Sequence, residues 1–133
     1  MSLKSIDTKN YEEAVVMSVK PVIISMWSKA MPFSEKNDKI LEQIENEYGD
    51  YVKIMKLNME TQPRLMEMFE IDRLPVIVMM TGGVVCKKLF GLPTKQEIID
   101  EMEIETIKEF RDRGITYHPK RNYIPDYIRN ERW

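Results

Sequence analysis

YVKIMKLNMETQPRLMEMFEIDRLPVIVMMTGGVVCKKLF, residues Tyr51–Phe90, holds strand, helix and hairpin signals in one stretch. Its first part, Tyr51 to Asn58, has strand length. Val52, Ile54 and Lys56 alternate imperfectly with Lys53, Met55 and Leu57, yet length and β-branching favour a strand. Pro63 suits a first helical turn and opens a short helix that turns Leu65, Met66 and Phe69 inward. Two further strands are expected at Pro75–Met80 and Val84–Phe90. Thr81, Gly82 and Gly83 between them supply the tight-turn chemistry of an antiparallel hairpin.

Upstream, PVIISMW (Pro21 to Trp27) is a continuous apolar run suited to a central strand covered on both sides. Between Ser34 and Tyr48, the positions Ile40, Leu41, Ile44 and Tyr48 recur at spacings of three and four, with Gly49 as a stop. That is an amphipathic helix. A first strand is expected near Leu3 to Ile6. Asp7 or Thr8 then caps a helix carrying Tyr11, Ala14, Val15 and Val16. Downstream, Thr94 and Glu97 form a capping box for one last helix bearing Ile98, Ile99, Met102 and Ile107 and ending before Gly114. The fold class is α/β: a central mixed sheet of about five strands, helices on both faces, and a C-terminal extension. Residues 1–113 make the domain and residues 114–133 the tail.

The chain has 133 residues, room for one core, and 20 basic against 22 acidic side chains, so no general attraction to nucleic acid or anionic membrane is encoded. Its single cysteine, Cys86, and single histidine, His118, exclude disulfide frameworks and His- or Cys-rich metal sites. No metal or other cofactor is expected. The opening residues lack the apolar stretch of a secretory signal and no run reaches membrane-spanning length, so a cytoplasmic location is expected, with a nuclear one as the alternative.

Element order and particular residues together resemble the thioredoxin family over about residues 3–110. PVIISMWSKAMPFSEK is similar to the strand that ends in the family's tryptophan, here Trp27, and enters its active-site loop. The segment from Val52 to Met80 is similar to the next strand, helix and Ile-x-x-x-Pro turn, with Leu74–Pro75 on the cis-proline site. Gly83 and Gly91 fall on family glycines. The resemblance implies a thioredoxin fold and a peptide-facing groove formed by Trp27, Ala30, Met31, Leu74, Pro75 and Gly91, able to pair with an extended segment.

The loop itself departs from the family. Where a Cys-x-x-Cys pair is required, this chain reads Met31–Pro32–Phe33–Ser34, and a thioether or an unassisted hydroxyl cannot do the work of a thiolate. The family's buried carboxylate would sit at position 25, which is Ser25. The expected function is therefore a redox-inactive binding or adaptor protein rather than an enzyme, recognising peptide or protein through the groove and the tail.

Two alternatives stand beside it. Cys86, next to Lys87 and Lys88, would give a thiol-dependent redox or regulatory role if exposed; the other reading is a small buried packing residue. A narrower resemblance, to the small thioredoxin-like proteins of the spliceosome, rests on Pro32, Asp38, Ile40, Leu41, Arg113–Gly114, Pro119–Lys120 and the tail tyrosines, and implies a ribonucleoprotein component. The tail interleaves Tyr117, Tyr123, Tyr127 and Trp133 with Lys120, Arg121, Arg129 and Arg132. It is read as docking on its own domain or on a second copy in a homodimer, as binding a protein, or as the one route to nucleic acid. Met26, Met79 and Met80 are expected as core filling, or with Met31 as an adaptable apolar surface.

Overall fold

The computed structural model describes residues 3–28, 35–71 and 73–123. Five strands form one mixed sheet: β1 (Lys4–Ser5), β2 (Val22–Trp27), β3 (Lys53–Asn58), β4 (Val76–Thr81) and β5 (Val84–Phe90), ordered β1-β3-β2-β4-β5. β1, β3 and β2 run parallel, β4 antiparallel to β2, and β5 antiparallel to β4. Strand alternation splits the core in two. Val22, Ile24, Met26, Val76, Val78 and Met80 face one side with Leu65 and Phe69, whereas Ile23, Ile54, Ile77 and Met79 face the other. Met26, Met79 and Met80 are buried, so they fill the core.

Helix α1 (Glu35–Tyr48) presses Leu41 and Ile44 onto the second face, and α2 (Pro63–Met68) covers the first. Helices therefore cover both faces. Asp7 Oδ1 accepts from the N–H groups of Lys9 and Asn10, closing the turn ahead of a single wide helical turn at Glu12–Val16, where the Met17 N–H reaches back to Glu12 O. That turn buries Val15 and leaves Val16 37% exposed. The hairpin loop is Gly82–Gly83 alone, with φ of 57° and 82°, and Thr81 pairs with Val84 as the last strand residue.

The last helix departs from the single element expected. It is two helices, α3 (Lys95–Glu101) and α4 (Ile104–Asp112), broken where Glu103 takes φ 54°. The break lets Met102, Ile104 and Ile107 all reach the second core face, which one continuous cylinder would not present together. The capping box at Thr94 and Glu97 is present as expected.

The described part of the tail docks on the domain. Asn122 donates its N–H to Cys86 O, and its side-chain amide both accepts from Lys88 N–H (2.8 Å) and donates to Lys88 O (3.0 Å), as a neighbouring strand's peptide would. Tyr123 donates to Val85 O. The contact with β5 runs through Asn122 and Tyr123, while Tyr117 bonds Glu103 and Pro119 is buried. Of the apolar tail residues, Ile115 is half exposed, and Ile124 and Ile128 lie outside the described residues.

Candidate functional site

Strand register places the predicted groove. Met26 pairs with Val76 and Val76 with Phe90, so one step further along Trp27, Pro75 and Gly91 fall in a row across three strand ends. The Leu74–Pro75 bond is cis, and Gly91, at φ 89°, returns its N–H to Pro75 O at 3.0 Å. Among the described residues, none comes within 4 Å of where a Cβ at Gly91 would stand. Leu74 and Pro75 are half-buried and Leu92 is 47% exposed beside them. The structure thus brings together Trp27, Leu74, Pro75 and Gly91. Ala30 and the loop Met31, Pro32, Phe33 and Ser34 lie outside the described residues.

Behind the row stands Asn37, 1% exposed, which donates Nδ2–H to Gly91 O at 3.1 Å and so ties α1 to the bend after β5. Its Oδ1 and the Trp27 indole N–H are buried with no hydrogen-bond partner among the described residues. Sequence reasoning passed over Asn37, although it lies four and seven positions before Leu41 and Ile44 and hence on the same buried helix face. A polar residue at such a position is the signal that marks it.

Ser25 is buried on β2 and donates its hydroxyl to Asp38 Oδ1, so a carboxylate does stand at this spot, carried by α1 rather than by the strand. Near the groove, Ser28 donates to Glu60 Oε1 at 2.7 Å, fixing an acidic group beside Trp27.

Cys86 is not part of the groove. In the β4–β5 ladder Met79 pairs with Lys87 and Met80 with Val85, leaving Cys86 as the extra residue of a bulge. Cys86 is 6% exposed, and its thiol donates weakly to Met79 O and is pushed up in pKa by burial against smaller opposing effects of Thr81 and Lys87. A thiolate is disfavoured there, which argues for the packing reading over the reactive one. The bulge also carries Lys87 to the interior, where its Nζ meets Glu103 Oε2 at 2.9 Å. Tyr117 donates to the other oxygen of Glu103. Burial alone would raise the Glu103 carboxyl, but Tyr117 and Lys87 together hold it below its ordinary value.

Among the described residues no group of three His, Cys, Asp or Glu side chains could hold a metal, and no helix is long and apolar enough to cross a membrane. The thioredoxin family profile matches residues 2–104. The chain is 26% identical over 89 residues to a thioredoxin of Alicyclobacillus acidocaldarius, covering 67% of this chain and 84% of that one. It is 27% identical over 97 residues to a thioredoxin of Streptomyces clavuligerus, covering 73% and 90%. A thioredoxin of Buchnera aphidicola is 28% identical over 107 residues, covering 80% and 91%.

These matches correct one expectation. The prediction that the chain is not an enzyme is overturned, because its relatives are thioredoxins, a disulfide oxidoreductase family. With the mixed sheet, the Trp27–Pro75–Gly91 row and a family profile that spans most of its length, the chain belongs to the thioredoxin family.

Proposed function

We propose that this thioredoxin-family chain recognises extended peptide or protein segments by strand-like pairing in the groove formed by Trp27, Leu74, Pro75 and Gly91. The row of Trp27, Pro75 and Gly91 across three strand ends carries this reading. Leu74 lies just outside the β4 ladder, and its N–H and C=O pair with no turn or loop group among the described residues. An incoming strand can take them. Such recognition requires no thiol, so it stands apart from the exchange chemistry of the family. The setting we propose is the cytoplasm, on the strength of one buried thiol.

The test is amide chemical-shift mapping with a set of unstructured valine- and serine-rich decapeptides, with insulin reduction measured in parallel to read exchange activity. Binding should move the Trp27 indole signal and the Leu74 and Gly91 amides, and Trp27→Ala should weaken it several-fold. Shifts confined to another surface, or none at millimolar peptide, would sink the proposal.

A further inference from the structure

The groove is bordered by a charged side chain that packs on an aromatic ring. Arg73 is exposed two residues before Pro75, and its guanidinium carbon lies 4.1 Å from the centroid of the Phe90 ring. Phe90 pairs with Val76, the residue after Pro75, so this stack sits directly beside the Pro75–Gly91 row. Among the described residues no carboxylate pairs with Arg73.

Laid over an aromatic ring, a guanidinium is held by cation–π attraction while its N–H fork points outward. The fork matches a carboxylate, which it takes through two parallel hydrogen bonds. The stack restrains the side chain before any ligand arrives, reducing the ordering cost of binding. On the opposite side, the Glu60 carboxylate held by Ser28 sits next to Trp27. One side of the groove thus presents a basic group and the other includes an acidic one.

We propose that the groove selects acidic extended segments: an Asp or Glu side chain of the bound peptide, lying over Phe90, is taken by Arg73. This deepens the peptide-binding reading and rests on it. Apolar contact with Leu92 and the Pro75 ring favours aliphatic neighbours, and Glu60 disfavours a second acid at the Trp27 side.

The experiment uses the full chain and fluorescence anisotropy with labelled valine- and serine-rich decapeptides in which a single Glu, Gln or Lys is walked through every position. Glu should bind about three- to tenfold tighter than Gln at one register only, the range for a charge-assisted pair at a partly exposed site. That gain should shrink with added salt. Arg73→Gln should bring the Glu to Gln ratio to one at that register, and Arg73→Lys should keep only part of it, because the ammonium lacks the fork. Equal binding of Glu and Gln peptides at every register overturns the acidic preference and leaves the groove reading standing. A preference that survives Arg73→Gln assigns it elsewhere and also overturns the inference. No binding by any peptide overturns both.

Discussion

The groove and the outer edge of β5 are built on the same sheet from different materials. The groove is backbone geometry: a cis bond at Pro75, a left-handed Gly91, and the ladder register that aligns both with Trp27. The edge is a set of side-chain bonds between segments far apart in the chain, with Lys87 to Glu103, Tyr117 to Glu103, Asn122 to Lys88, and Tyr123 to Val85 at a separation of 38. Backbone conformations of the first kind demand Pro or Gly, so they leave a trace in sequence. Pairings of the second kind require only that two ordinary polar residues meet.

The sharpest way to break that contrast is at Glu103. Lys87 is 10% exposed and Glu103 25% at the side chain, so Glu103→Ala strands a nearly buried ammonium and frees Tyr117. We expect a loss of about 3 kcal/mol in urea unfolding, the lower part of the range for breaking a buried pair. Lys87→Met in the same chain should recover much of it. A cost under about 1 kcal/mol would make the edge pairing incidental. The pH dependence has a fixed sign. The Glu103 carboxyl is lowered in the folded state from its ordinary 4.5, so its contribution is complete above that pH and is lost as pH falls through the folded value. The stability gap between the natural chain and Glu103→Gln should therefore close in acid.

A middle effect is expected from removing the tail. Truncation after Arg113 deletes Tyr117, stacked on Phe110 with centroids 5.1 Å apart, and the Asn122 and Tyr123 bonds that occupy the β5 edge. The loss should be about 2 kcal/mol, from two to four net hydrogen bonds and one ring contact. An uncovered edge strand also invites pairing between copies. Light scattering should then show concentration-dependent association that the full chain lacks. An equally stable, monomeric truncation would reduce the tail to an appendage.

What could be read in the sequence follows the same division. The strand runs, the Gly82–Gly83 turn, the face of α1 and the Thr94–Glu97 box were all legible because periodicity and capping are local. The break at Glu103 was not, since a left-handed glutamate has no compositional mark and is held by Lys87, a partner sixteen positions earlier in the chain. Nor was the burial of Lys87, because one extra residue at Cys86 turns the following side chain inward, and bulges are invisible to an alternation count. At the candidate site, Trp27, Pro75 and Gly91 could be named in advance. Asn37 could not, and Asp38 was singled out only for the spliceosomal resemblance and not as the partner of Ser25, because their roles here lie in which strand end α1 crosses.

The capping box sets the lower end of the scale. Thr94 Oγ1 accepts from the Glu97 N–H at 3.1 Å, and Glu97 returns a carboxylate oxygen to the Thr94 N–H at 3.0 Å. These bonds hold the Glu97 carboxyl below its ordinary value. Both are solvent-exposed and local, so Thr94→Ala should cost only about 1 kcal/mol, the usual worth of an N-cap. Because α3 ends at the residue before Met102 and Glu103, fraying its start leaves the Lys87 pairing in place. The costs of Thr94→Ala and Glu103→Ala should then add within about 0.5 kcal/mol. Coupling larger than that would show that the local cap and the long-range pair act as one unit, and the division between the two kinds of construction would fail at α3.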